Sequence, residues 1–267
     1  MSNTEHYFEA NRALWNKKTP VHVNSEFYDV EGFKTGRNVL AEIELKEMAN
    51  DVKGKSLLHL QCHFGLDTLS FARMGAKVTG IDISDEAINK ANALKNEVSI
   101  DANFVRCNVY DTRQYVQDTF DIVFTSYGTI GWLPELDTWA KVIAESIKKG
   151  GYFYMVDFHP FVWMMDYNFT KIQYSYFNDG VIEDESETTY TDGEKIEKSK
   201  EYGWNHNISD ILNALLKQGF ELQFFNEHDF SPYNCFKNTV KVGERRWQIK
   251  GLEGVLPMVY SFKMVKK

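Results

Sequence analysis

Only three cysteines, Cys62, Cys107 and Cys235, occur in 267 residues, with no close pair, so neither a disulfide framework nor a zinc site is available. That scarcity suits a reducing compartment, and a cytoplasmic location is expected. No apolar run is long enough to cross a bilayer, and the opening MSNTEHYFEANRALW is polar where a signal peptide carries basic and then apolar stretches. Excess positive charge is missing too. With 38 Asp and Glu against 30 Lys and Arg, the net charge of -8 suits neither nucleic acid nor anionic membrane as a partner. Seven histidines show no spacing of the H-x-x-x-H kind, so no metal is expected.

What is present is an ordinary globular composition, 43% hydrophobic and 25% charged, skewed only by 14 Tyr, 19 Phe and 6 Trp. The length accommodates one large domain, or one core with an appended lid. Residues 1–48 read as an N-terminal helical arm: Phe8, Arg12 and Trp15 fall at helical spacing, and Pro20 is expected to end that run. From Lys55 to Asp157 strand candidates at 56–60, 77–83, 103–106, 121–126 and 152–157 alternate with helix candidates at 67–74, 85–97 and 136–148. Such βαβ units with right-handed crossovers predict a parallel sheet covered by helices on both faces.

An antiparallel insertion is expected over 160–204, where KIQYSYF and ETTYTDGEKIEKSKEY alternate polar with aromatic residues. Asn178-Asp179-Gly180 and Asp192-Gly193 are its hairpin-turn signals, and the acidic run Glu183 to Glu187 reads as a solvated hairpin tip. The α/β pattern then resumes with a helix over 209–218, closed by Gly219, a strand over 220–225 and a last strand over 258–265. Residues 247–250 are ambiguous. Residues 49–267 thus form one doubly wound domain, interrupted by the insertion.

Open α/β sheets bind ligands beyond the carboxyl ends of their strands, which directs attention to LLHLQCHFGLDTLSFARMGAKVTGIDIS. Strand one enters the turn Gln61-Cys62-His63-Phe64-Gly65, and Asp82 ends strand two, where a ribose-binding carboxylate is expected. A dinucleotide needs glycines so that the backbone can approach its pyrophosphate, yet Gln61, His63 and Leu66 stand in those places. An adenosine cofactor without phosphate tolerates such side chains.

This stretch resembles motif I and the following acidic strand end of class I S-adenosylmethionine-dependent methyltransferases, of the type 11/12 kind, with Gly65 matching the last loop glycine and Asp82 the ribose-binding acid. FVRCNVYD, FDIVFTSYG, IAESIKKGGYFYMVDF and ISDILNALLKQGFELQFF are similar to the segments that follow in that family, in the same order. The resemblance implies a Rossmann-like sheet, mostly parallel with an antiparallel C-terminal strand, and S-adenosylmethionine as cofactor. It places Leu60, Gln61, His63, Gly65, Asp82, Ile83, Asn108, Val109, Ser126 and Tyr127 around that cofactor, with Asn108 facing adenine. Where the family carries an acid on strand one this chain has His59, which reads as a buried, hydrogen-bonded histidine.

An aromatic face beside the sulfonium is implied, and Trp15, Phe64, Tyr127 and Trp132 are the candidates. A hydroxyl or protonated amine acceptor needs a base, for which His159, His206, Tyr127 and Asp157 stand by position; a turn-stabilising role for His159 is equally open. The acceptor is expected to be a small molecule held against Trp15, Tyr28 and Trp132, under a lid made of the arm and the insertion. A satellite aromatic core that merely tethers the insertion is the other reading of the same residues. Two other functions remain: a cofactor-binding module without catalysis, and a nicotinamide oxidoreductase, against which the missing glycines count. Either a monomer or a homodimer is compatible with the sequence.

Overall fold

The computed structural model describes residues 4–191 and 195–267. Helices α1 (Glu5–Val23), α2 (Val30–Lys34) and α3 (Glu42–Met48) open the chain. Alternation follows: β1 (Ser56–Leu60), α4 (Leu66–Arg73), β2 (Lys77–Asp82), α5 (Asp85–Glu97), β3 (Asn103–Arg106), α6 (Thr112–Tyr115), β4 (Phe120–Ser126), α7 (Leu136–Ser146) and β5 (Ile147–Phe158). A hairpin of β6 (Ile182–Ser186) and β7 (Ser199–Gly203) precedes α8 (Ile208–Lys217) and β8 (Phe220–His228). A second hairpin, β9 (Thr239–Gly243) with β10 (Arg246–Ile249), comes before β11 (Val259–Lys266).

Seven strands form one sheet in the order β3-β2-β1-β4-β5-β11-β8. The first five are parallel and β11 runs antiparallel to both of its neighbours, as the Rossmann-like methyltransferase sheet requires. Side chains alternate across β1: Leu57 joins Leu69 and Phe71 of α4 and Ile88 of α5 on one face, while Leu58 and Leu60 join Trp139 and Ile143 of α7 and Leu215 of α8 on the other. Some helix starts carry side-chain caps. Ser84 Oγ accepts from Ala87 N (3.1 Å) at α5, and Asn207 Oδ1 from Asp210 N (2.9 Å) at α8. Because strand order reverses between β1 and β4, the crevice at their carboxyl ends is where this topology places a ligand.

Several expectations need correction. Pro20 lies inside α1, which continues to Val23. The proline lacks the N–H that the Asn16 carbonyl would receive, and side chains serve neighbouring carbonyls instead: Thr19 Oγ1 donates to Trp15 O (2.7 Å) and Asn24 Nδ2 to Pro20 O (3.0 Å). α7 stops at Ser146 because Ile147 already pairs with Phe120 on β4. Residues 171–177 form no strand, and Asn178–Gly180 is a bend before β6 in which Asn178 Oδ1 accepts from Gly180 N (3.0 Å).

The acidic run Glu183 to Glu187 is no hairpin tip. It lies along β6 and just past its end, where cross-strand lysines draw it into the ladder: Glu183 and Glu185 form ion pairs with Lys200 and Lys198. The turn signal Asp192-Gly193 lies outside the described residues. Residues 247–250 resolve largely as β10, whose partner β9, with the alternating sequence TVKVG, is a strand the sequence-based expectation omits. Among the described residues, no helix is long and apolar enough to cross a membrane, and no group of three or more His, Cys, Asp or Glu is placed to hold a metal ion.

Candidate active site

β1 runs into its turn at the crevice, and Gln61, His63 and Gly65 take φ angles of 54°, 50° and 82°. Alternate residues therefore occupy the left-handed region, strained for the two that carry side chains. Tertiary bonds hold that strain in place. Cys62 N donates to Ile81 O (2.8 Å), His63 N to Asp82 Oδ2 (2.8 Å), and Gln61 Nε2 to Thr129 O (3.0 Å). At Gly65 a side chain is excluded outright, since a Cβ would lie 2.6 Å from the Phe104 ring.

Asp82 ends β2 with its second oxygen accepting from Ser84 N (2.8 Å), and each carboxylate oxygen keeps capacity for a further donor such as a ribose hydroxyl. Burial pushes this carboxyl up to about 6, against the pull of the Ser84, His63 and Ile83 amides. Cys107 N donates to Asp82 O (3.0 Å), which brings Asn108 and buried Val109 beside the end of β2. Asn108 Oδ1 accepts from Tyr110 N (3.2 Å). Leu60 and Ile83 border the same rim, while Ser126 and Tyr127 stand across the crevice at the end of β4.

Two buried polar atoms on this rim, Gln61 Oε1 and His63 Nδ1, have no hydrogen-bond partner. Buried polar groups are costly when unpaired, and the amino-acid end of S-adenosylmethionine carries the groups that would satisfy them. The residues present therefore fit that cofactor.

α1 covers the rim with a mostly polar face, in which Asn11, Lys18, Thr19 and His22 are buried beside Leu14. Arg12 pairs with Asp85, and Asn16 Oδ1 accepts from Ser84 Oγ (2.7 Å) and Glu86 N (3.2 Å). His22 Nδ1 shares a proton with His63 Nε2 (2.9 Å). Burial is the larger reason that His22 is pushed down to about 3, the Lys18 charge the smaller. Trp15 lies 5.2 Å from His63 and 5.5 Å from Trp132, ring to ring. Beside both indoles sits Lys18, whose Nζ is 5.6 Å from one ring and 5.8 Å from the other and pairs with Glu201 (3.2 Å). The rings offered to a sulfonium thus already receive an ammonium of the protein's own. Phe64 instead packs in the core against Tyr28 (4.9 Å).

The β6–β7 hairpin is fastened to α1. Asn11 Nδ2 donates to Tyr202 O (2.8 Å) while Tyr202 N donates to Asn11 Oδ1 (3.0 Å). In the connection between the two strands, Thr189 bonds His22 and Tyr190 bonds Tyr28. Arm and insertion form one cover over the rim.

The base candidates fare differently from expectation. His159 Nδ1 accepts from Phe161 N (3.1 Å) and its Nε2 pairs with Glu227 (3.0 Å), so both nitrogens are committed and the ring pins the turn after β5. His206 Nε2 donates to Leu133 O (2.7 Å), anchoring the start of α8 rather than reaching the crevice. Asp157 gathers the amides of Gly128, Thr129 and Ile130, shaping the loop after β4. Tyr127 donates to Glu44 Oε2 (2.9 Å), and burial first, then the Glu44 charge, holds its hydroxyl well above the usual phenol range, which disqualifies it as a base. His59, bonded to Thr68 Oγ1 (2.8 Å) and Ser126 Oγ (3.4 Å), is pushed down to about 3 by burial and stays neutral.

Sequence reasoning misses Asn16, His22, Glu44, Asp67, Arg245 and Tyr233, which crowd the same crevice. Asp67 Oδ2 accepts from Ser126 Oγ (3.2 Å), and Arg245 donates to the carbonyls of Leu40 and Val39 (2.9 Å each). Tyr233 packs against Tyr127 with ring centroids 4.9 Å apart. Only Asp67 has a local signal, its place two residues after Gly65; the others arrive from distant segments.

Residues 58–155 match a family model described as a methyltransferase domain. The ubiquinone biosynthesis O-methyltransferase of Proteus mirabilis is 28% identical over 148 residues, covering 54% of this chain and 60% of the relative. That of Shewanella pealeana is 28% identical over 108 residues, 40% of this chain and 45% of the relative, so the chain spans about half the length of such curated relatives. Among solved structures, an S-adenosylmethionine-dependent methyltransferase from Clostridium acetobutylicum superposes with a TM-score of 0.59 at 12% identity, covering 95% of this chain and 99% of that one. Another from Mesorhizobium loti gives 0.55 at 16% identity, covering 86% and 99%. These likenesses show the fold.

Proposed function

We propose that this chain is a class I S-adenosylmethionine-dependent methyltransferase that transfers a methyl group from that cofactor to a small-molecule acceptor, a reading supported by the methyltransferase-domain match over 58–155. The observation that carries the reading is the strand-one turn, where the unpartnered Gln61 Oε1 and His63 Nδ1 lie on the same rim as the Asp82 carboxylate. When bound, the cofactor supplies a methyl group on a sulfonium, open to in-line attack. Asp82 accepts from the ribose hydroxyls, the Gln61 side chain accepts from the amino group, and Asn108 and Val109 border the adenine. Trp15, Tyr28 and Trp132 close the acceptor side, and the cover made of α1 and the hairpin excludes water. A net charge of -8 disfavours nucleic acid as the acceptor, and no membrane partner is invoked. Monomer and homodimer both suit the reading, because one chain carries every residue it uses.

Thermal unfolding with candidate ligands tests the assignment. S-adenosylhomocysteine is expected to raise the melting temperature while NAD leaves it unchanged, because only a ligand of the folded state stabilises it. Asp82→Ala should weaken nucleoside binding by on the order of 1.5–3 kcal/mol per lost charge-assisted bond. An equal or larger stabilisation by NAD would return the chain to the nicotinamide enzymes, and nucleoside binding with no transfer to any acceptor would make it a binding module.

A further inference from the structure

Beside the cofactor rim, on the side reached from Ser126, lies a buried acidic pair walled by tyrosines. Glu44 of α3 is fully buried; its Oε2 accepts from Tyr127, while its Oε1 makes no hydrogen bond although the Ala41 and Glu44 amides face the carboxyl. Asp67 of α4 is held by Ser126, and its charge is felt by Glu44, Tyr28 and Tyr233. Tyr127 and Tyr233 pack edge to face, and Tyr28 bonds Tyr190 hydroxyl to hydroxyl at 2.5 Å. Arg245 is the nearby cation, yet its guanidinium donates to the Val39 and Leu40 carbonyls and bonds neither carboxylate. Burial first, and the Asp67 charge second, push the Glu44 carboxyl up to about 7, the mark of an acid that lacks a cation beside it. Two acids with one indirect counter-charge, one of them presenting an unpartnered oxygen, make a place that favours a positive hydrogen-bond donor.

Resting on the methyltransferase reading, we propose that this cluster receives an aliphatic ammonium group of the acceptor, so that the atom methylated is nitrogen. Glu44 Oε1 accepts one N–H, and the faces of Tyr28, Tyr127 and Tyr233 attract the charge. Asp67 takes the second proton: burial lifts its carboxyl to about 6, so it is ionised near neutrality while remaining a usable acceptor. The nitrogen lone pair so freed forms the N–CH3 bond as the C–S bond breaks and its electron pair stays on sulfur; the positive charge passes from sulfur to nitrogen. Tyr190, 39% exposed, is the most exposed tyrosine of the wall, while Tyr28, Tyr127 and Tyr233 are half-buried. Glu44 and Asp67 together, rather than any histidine, then set specificity for amines.

The test titrates the full chain, with and without S-adenosylhomocysteine, with dimethylammonium chloride and with 2-propanol, a neutral molecule of similar size, following binding by NMR. Dimethylammonium is expected to bind about tenfold more tightly than 2-propanol, or better. Glu44→Gln and Asp67→Asn should each remove most of that preference while nucleoside binding persists. Equal binding of the two probes by the unmodified protein overturns the inference without any variant, and if the nucleoside still binds, the methyltransferase reading survives. A cation preference that both variants keep would also overturn it, by placing the ammonium elsewhere, for instance between Trp15 and Trp132.

Discussion

The two sides of the crevice are built differently. On the cofactor side the bonds are largely main-chain: Cys62 N to Ile81 O, His63 N to Asp82, Cys107 N to Asp82 O, all made by residues at the ends of neighbouring parallel strands. On the side proposed for the acceptor they are side-chain bonds between remote segments, such as Asn11 with Tyr202, Lys18 with Glu201, His22 with Thr189 and Tyr127 with Glu44. A site drawn from backbone tolerates Gln61 and His63 in place of glycine as long as the path survives. A site drawn from side chains changes its ligand whenever one residue changes, which is how a common donor serves different acceptors.

Substitutions on the two sides should therefore break different things. The largest effect is expected at Gly65→Ala, which adds a Cβ 2.6 Å from the Phe104 ring at a φ of 82°. Backbone strain and overpacking together should cost about 3–4 kcal/mol, read as a lower denaturation midpoint with an unchanged slope; a loss under about 0.5 kcal/mol would show that the turn can be rebuilt. Asn11→Ala comes next. It strands the buried Tyr202 N–H and C=O and should cost about 1–3 kcal/mol, with hydrogen exchange rising in α1 and β7 but not in β1 to β5. Uniform loss of protection across both regions would mean that cover and core are one cooperative unit.

The smallest effect is a pH dependence confined to the cofactor side. Asp82 has its folded pKa raised from 3.8 to about 6, so the ionised form proposed to accept from ribose is scarce below that value. Nucleoside affinity should fall about tenfold from about pH 7 to about pH 5, and Asp82→Asn should flatten that fall. Folding stability moves the other way: the raised pKa favours the folded state fully below 3.8, and this contribution is lost as pH rises through about 6. An affinity independent of pH in the unmodified protein would place the ribose on another residue.

Legibility follows the same division. Strand candidates at 56–60 and 103–106 coincide with β1 and β3, because strands that lie between helices write short apolar runs into the chain. The places of Asp82 at the end of β2 and Gly65 in the strand-one turn are readable since they depend on neighbours within about twenty positions. His206 and His159 mislead: both lie near the carboxyl edge of the sheet in sequence terms, yet Leu133, Phe161 and Glu227 engage their nitrogens. Pro20 misleads for a local reason, since α1 runs on past it to Val23 while side chains bond the neighbouring Trp15 and Pro20 carbonyls.

From the sequence alone come the order of the longer strands and helices of the main sheet, the turn at 61–65 and the acid that closes β2, since hydrophobic period and turn chemistry are local properties. The side proposed for the acceptor is decided only when the chain folds. Glu44, Asp67, Tyr127 and Tyr233 are ordinary residues where they stand in the chain, and their chemistry exists because separate segments bury them together, where desolvation and mutual charge act on groups that water would otherwise keep apart.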